Sequence, residues 1–175
     1  MLSSLSPVAL ALSGLERAVQ KFSTTHDPHM CCNVAVDFVT SRLNADLAEV
    51  WTVNGRGGLT PISSKGVIAN SYASERGPRY DGNQHRVFLT GDPIVVNEAE
   101  ESVEFTLKNY SRGLFVESFA YLPIVHNSNT LGVFGIASND RNFFTPEVTG
   151  IVRVLTACLA CILSEDADAS EVNAA

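Results

Sequence analysis

The groups best suited to chemistry are four thiols in two pairs, the vicinal Cys31-Cys32 and the spaced Cys158-Leu-Ala-Cys161. The thiolate is the reactive and metal-binding form, so paired cysteines suit zinc, an iron–sulfur cluster or a redox switch. With His29 close to the first pair, a metal or redox sensor through Cys31, Cys32, Cys158 and Cys161 is one reading. The other is that all four lie in apolar helical stretches, where cysteine acts as a small hydrophobe. Adjacent side chains also point about 100° apart on a helix, which works against a vicinal pair sharing one ligand. Four histidines follow: His26, His29, His85 and His126. One axial histidine suffices for haem, and His85 is the best placed. A third group gathers between residues 72 and 86: Tyr72, Arg76, Arg79, Tyr80, His85 and Arg86. Such a segment either binds an anion or carboxylate through its guanidinium groups or forms a solvated loop. No G-x-S-x-G, G-x-x-x-x-G-K-[ST] or H-E-x-x-H occurs, so the familiar triad, phosphate-loop and zinc-protease patterns are absent. No cofactor is implied.

The whole chain narrows the options further. It has 175 residues, 45% of them hydrophobic and 18% charged, which fits one globular domain with its own core. The formal net charge is −7, which argues against general nucleic-acid binding or an anionic membrane surface. No uninterrupted run of roughly 18 apolar residues occurs, so no bilayer span is expected. The opening residues lack a basic start and read as helix rather than as a leader. Cysteines in helical stripes rather than in a loop-rich framework suggest a reduced, cytoplasmic protein.

The elements that must position these groups can be read from caps and periodicity. Ser6-Pro7 reads as a cap followed by proline at the first helical position. Leu5, Val8, Leu12, Leu15, Val19 and Phe22 then make a heptad-like seam, used either within the domain or against a second subunit. Asp27-Pro28 repeats the signal for a helix to about Leu43, with Cys31, Val34, Ala35, Phe38 and Arg42 on one stripe. A strand is expected within Asp46–Val53, a turn at Asn54-Gly55, and a return strand at Leu59–Ile62. Residues 63–83 read as irregular, a length of connection uncommon unless functional. A short strand at Pro93–Val96 and a short helix near Ser102–Ser111 follow. The clearest hairpin joins Phe115–Val125 to Leu131–Ser138 through Asn127-Ser128-Asn129. Thr145-Pro146-Glu147 starts a last helix. Val148, Ile151, Val152, Leu155, Cys158, Leu159 and Ile162 form its core stripe. Val154, Ala157 and Cys161 make a second apolar strip, as expected of a helix that touches more than its own sheet. Residues 164–175 read as a disordered acidic tail. With helices at both ends and strands between, the expected class is α+β. That means an antiparallel sheet of five to six strands, terminal helices on one face and an irregular segment over the other.

Two stretches resemble the GAF domain family: LTGDPIVVNEAE at 89–100, and SFAYLPIVHNSNTLGVFGIASNDRNFFTPEVTGIVRVLTACLACIL at 118–163. The resemblance implies one GAF-like domain over residues 1–163, acting in regulation. Its ligand pocket would lie on the sheet face opposite the terminal helices. Strand alternation then sorts the residues. Ala48, Val50, Thr52, Ser118, Ala120, Leu122, Phe134 and Ile136 face the helices. Leu47, Glu49, Trp51, Phe119 and Tyr121 face the pocket, beside the small Gly135 and Ala137. The aromatics either wall a ligand site or fill the space as core. Glu49 either holds a cation or amine or lies at the strand edge in solvent. His85 and Arg86 would reach the site from the segment above. The family's methionine sulfoxide reductases carry acids at positions that map to Phe119, Gly135 and Ala137, and catalytic cysteines in mid-chain, where this sequence has none. An enzyme of that kind is therefore not expected, nor is covalent bilin, because residues 63–117 contain no cysteine. The reading that results is a small-molecule-sensing regulatory module working through a partner protein, as a homodimer. A ligand-free dimerisation scaffold is the alternative.

Overall fold

The computed structural model describes residues 7–25, 27–53, 56–66, 82–99 and 116–172. Helix α1 spans Pro7–Thr25, α2 Pro28–Arg42, α3 Gly82–Thr90 and α4 Pro146–Val172. Strands are β1 Leu47–Val53, β2 Leu59–Gly66, β3 Ile94–Val96, β4 Ser118–His126 and β5 Asn129–Ser138. The strands form one antiparallel sheet in the order β2-β1-β5-β4-β3, so the fold is α+β as the sequence implies.

Local chemistry starts and stops the elements. The Asp27 carboxylate accepts from the His29 and Met30 amides at 2.9 and 3.4 Å, capping α2 where Pro28 has no amide to satisfy. Thr145 Oγ1 accepts from the Val148 amide at 3.3 Å and caps α4. The β4–β5 hairpin turns on Asn127 and Ser128, both at positive φ (48° and 66°), the geometry that matches strand twist.

Two apolar layers sandwich the sheet. Against one face, α2 and α4 bury Cys31, Cys32, Phe38, Val39, Ile151, Val152, Leu155 and Leu159 on Ala48, Val50, Ala120, Leu122, Phe134 and Ile136. On the other face, α3 crosses β4 and β5. There Val87 packs into a second cluster with Leu47, Trp51, Leu59, Phe119, Tyr121, Val133 and Ala137. Alternation along each strand decides which layer a residue joins.

Several expectations are revised. The heptad-like seam does not pack as a unit. Ala11, Ala18 and Phe22 are buried, Leu15 is partly buried, and Leu12 is 52% exposed. Small residues face inward because α1 sits close on α2: a Cβ on Gly14 would lie 3.0 Å from the Phe38 ring. The side chains of Leu5 and Val8 lie outside the described set. The tail expected to be disordered from residue 164 instead continues α4 to Val172. Extending an existing helix costs little, and alanine and glutamate favour it. Pro146–Glu165 is also long and apolar enough to cross a membrane, with a mean hydropathy of 1.7, a signal that Arg153 interrupts in the sequence. Here its apolar stripe packs on the sheet. The return strand β2 runs four residues beyond Ile62. The Asn54-Gly55 turn, the Ser102–Ser111 helix, residues 67–81 of the irregular segment with Tyr72, Arg76, Arg79 and Tyr80, and His26 all fall outside the described residues.

Candidate functional site

The β-ladder aligns three rows of side chains on the face beneath α3. Leu47 pairs with Ala137, which pairs with Phe119 and then Val96. The next row on this face is Ser64, Glu49, Gly135, Tyr121 and Ile94. The third is Pro61, Trp51, Val133 and Pro123. In-register neighbours on one face have Cβ atoms about 5 Å apart, so Glu49 and Tyr121 flank Gly135 from either side.

Glu49 does not lie at a solvent-facing edge, one of its two expected positions. It is 5% exposed, because β1 is an interior strand with β2 and β5 on its flanks. Its carboxylate accepts from the Trp51 indole Nε1 at 3.2 Å and from Ser64 Oγ at 3.2 Å. Trp51 and Phe119 are 0% and 1% exposed. The rings of Phe119 and Tyr121 lie 5.7 Å apart and tilted, a favourable aromatic arrangement.

Gly135 is small, as the sequence reading requires, but the room it leaves is taken. A Cβ there would lie 3.1 Å from Tyr121 Cε1 and 3.2 Å from Cδ1, so the Tyr121 ring lies over this glycine. Gln84 of α3 donates from Nε2 to the Tyr121 hydroxyl at 3.2 Å in buried surroundings. His85, the next residue, keeps Nδ1 buried without a hydrogen-bond partner, and its ring is 6.3 Å from Phe88. Arg86 is exposed. The fold thus gathers Glu49, Trp51, Phe119, Tyr121, Gly135 and Ala137 on one face, while on α3 His85 is half-buried and Arg86 is turned to solvent.

Sequence reasoning missed Ser64 and Gln84. Ser64 follows from alternation once β2 is carried past Ile62. The signal for Gln84 is slight, since α3 presents only Gln84 and Val87 as fully buried residues over nine positions.

The four thiols do not form one set. Cys31 and Cys32 are buried, Cys158 is half-buried and Cys161 is exposed, all of them free. Among the described residues no group of three or more His, Cys, Asp or Glu is placed to hold a metal ion. Burial, then the neighbouring Cys31 and Asp27, pushes the Cys32 thiol up to about 12. Burial also raises Cys31 and Cys158. These surroundings favour the thiol over the thiolate that metal binding requires.

A clamp joins the edge of this face to α4. Asn97, just past β3, donates from Nδ2 to the Phe144 carbonyl at 3.3 Å and accepts at Oδ1 from the Phe144 amide at 3.0 Å. Its own carbonyl accepts from the Asn142 amide at 3.1 Å. Phe144 is buried with the helical layer, so the two sides of the sheet meet at this residue.

The family model for the GAF domain matches residues 25–164, and the chain belongs to the GAF domain family. No curated protein matches the sequence. The GAF domain of a phosphoenolpyruvate-protein phosphotransferase from Coxiella burnetii is 16% identical, with a TM-score of 0.80, over 95% of this chain and 99% of that one. The corresponding domain from Acinetobacter is 18% identical, with a TM-score of 0.73, over 88% and 92%. The free methionine-R-sulfoxide reductase from Neisseria meningitidis, solved with its substrate, is 15% identical, with a TM-score of 0.77, over 97% of each chain. At such identities the likeness shows the fold. GAF domains are generally sensory or regulatory domains of signalling proteins, although the fold also carries enzymes such as that reductase.

Proposed function

We propose that this chain is a small-molecule-sensing regulatory domain, working in the cytoplasm through a partner protein and as a homodimer, with its ligand site on the sheet face beneath α3. One observation carries the reading. Polar groups sit buried within an otherwise apolar cluster: the Glu49 carboxylate between Trp51 and Ser64, and Gln84 bonded to Tyr121. Burying polar groups costs stability that an all-apolar core avoids, and convergent polar groups among aromatics are the common lining of small-molecule sites. Thermal-shift screening against a metabolite library, followed by Trp51 fluorescence, tests it. A hit that raises Tm and changes Trp51 emission supports the site. Hits that leave Trp51 unchanged place binding elsewhere and remove this assignment.

The homodimer rests on the outer surface of the helical layer. There Leu12, Met30 and Val154 are about half exposed, and Ala157 and Cys161 follow Val154 along α4. Sedimentation that gives a monomer at high concentration removes this part of the reading.

A ligand-free scaffold is the second reading, favoured by the Tyr121 ring over Gly135. Catalysis of the reductase kind finds little support in this chain's residues. The positions that resemble that enzyme's acids hold Phe119, Gly135 and Ala137.

A further inference from the structure

We infer that Cys158 and Cys161 form a second binding site, apart from the sheet face, for one soft monovalent metal cation of the copper(I) class held between the two sulfurs. This site stands independently of the ligand-site reading above.

The two cysteines lie three residues apart on α4, which sets them about 60° apart around the helix and nearly one turn along it. Side chains at this spacing are surface neighbours, with Cβ atoms about 5–6 Å apart. Cys161 is exposed, Cys158 is half-buried and both are free. The pair therefore opens to solvent at Cys161 and rests on the helical layer at Cys158. Burial, then the neighbouring Cys161, raises the Cys158 thiol. The second cause means that the two groups are close enough for their charges to repel, and a cation between them removes that repulsion.

Geometry and donor count select the occupant. A disulfide needs Cβ atoms about 3.5–4.5 Å apart, so closing one here would bend a helix whose Leu155, Leu159 and Leu163 are held in the core. Two sulfurs each about 2.3 Å from one ion, the length of a zinc–thiolate bond, stand about 4.6 Å apart when opposed across it. The helical spacing meets that span without bending. The exposed neighbours Val154 and Ala157 carry no donor atom in their side chains. Thr156 Oγ1 donates to the Arg153 carbonyl at 2.8 Å and Ser164 Oγ to the Cys161 carbonyl at 2.7 Å, so both are hard oxygens turned onto backbone. Among the described residues no third His, Cys, Asp or Glu joins the pair. Zinc and iron–sulfur centres take four ligands, which leaves a cation content with two, and soft thiolates select copper(I). Metal binding displaces thiol protons, so the raised Cys158 thiol makes binding tighten as pH rises.

The test is an anaerobic titration of the full, reduced chain with copper(I) against a chromophoric copper(I) chelator. One ion per chain is expected, with the helical circular dichroism unchanged and X-ray absorption counting two sulfurs around the metal. Cys158→Ser and Cys161→Ser should each weaken binding about a hundredfold or more, the gain that a second tethered group supplies. Cys32→Ala should leave it unchanged. Zinc(II) under the same conditions should not reach one ion per chain. Undiminished copper binding in a folded Cys161→Ser, equal loss in a folded Cys32→Ala, stoichiometric zinc, or three or four sulfurs at the metal overturns the assignment. Cys161 lies on the surface to which the homodimer is assigned above, so sedimentation accompanies the titration. One ion per two chains, or no binding by the parent chain, overturns a site built within one chain. If Cys158→Ser does not fold, Cys161→Ser, at an exposed position, carries the test.

Discussion

The bond between Gln84 and Tyr121 should set how firmly α3 covers the sheet. Tyr121→Phe removes the acceptor and leaves the Gln84 amide, 6% exposed, without it. Stranding a buried polar group costs about 1–3 kcal/mol. Gln84→Leu removes the donor, keeps most of the volume, and takes this bond from the hydroxyl. Making both changes removes the bond and strands neither partner, so the double variant should lose less than the sum of the singles. A coupling of about 0.5–3 kcal/mol is expected for groups in contact. Tyr121 takes part in further interactions, and the cycle separates the Gln84 share from them. Because the bond ties a lid to a sheet, its loss acts first on local opening. Each 1.4 kcal/mol raises the open population about tenfold. The assay is built into the chain: Trp51 is the one tryptophan and is fully buried. Acrylamide quenching of Trp51 should rise severalfold in either single variant and fall back in the double. Urea midpoints followed by the same emission should show the same pattern. Strictly additive midpoints, or quenching equal to the parent in both singles, would refute the view that this bond holds α3 down.

Two glycines should respond oppositely to alanine. A Cβ on Gly132 lies 2.3 Å from the Trp51 carbonyl oxygen, whereas one on Gly150 meets nothing within 4 Å. Gly132→Ala should therefore force β1 from β5 and cost roughly 3 kcal/mol or more by overpacking, while Gly150→Ala stabilises by about 0.5–1 kcal/mol; thermal melts compare them. Asn97→Ala should cost about 1–3 kcal/mol by leaving the Phe144 amide and carbonyl without their partner, and hydrogen exchange should quicken at the start of α4 rather than in α2. Between the ordinary thiol value of 9.0 and about 12, Cys32 stays protonated when folded and ionises when unfolded. Stability should be unaffected by this group below pH 9, then fall as pH rises toward 12 by at most about 1.4 kcal/mol per unit. Cys32→Ala should lose that part of the slope, and equal slopes in urea titrations of both proteins would disprove it. Thiol labelling at neutral pH should modify Cys161 first and leave Cys31 and Cys32 untouched until unfolding.

Most of the framework was legible because its signals are local. Asp27-Pro28 and Thr145-Pro146 mark helix starts through backbone chemistry that needs no tertiary help, and Asn127-Ser128 marks the hairpin by tolerating positive φ. Period-two alternation then sorted the strand residues between the two layers, since a strand cannot present neighbours to the same side. What was not legible depends on contacts distant in sequence. α3 has too few apolar positions to declare itself, and is held by Val87 and Gln84 against strands more than thirty residues away. The seam on α1 looked continuous as a pattern. The close approach of Gly14 to Phe38 instead selects small residues for the interface and turns Leu12 outward. At the site, sequence supplied the residue types but not the occupancy. That Tyr121 covers Gly135, and that Ser64 reaches Glu49, are consequences of register across four strands.

The sheet's two borders have a further consequence. β2 carries Pro61, which cannot donate to a neighbouring ladder, the exposed Lys65 that pairs with Asp37, and a bulge opposite Val50. β3 offers three residues, with Pro93 just before it. Such borders are poor templates for an incoming strand, and proteins use these same devices to discourage fibrillar growth. Recruitment of other chains is thereby left to side-chain surfaces. Those can be retuned one substitution at a time, without disturbing the backbone ladder that holds the site in register.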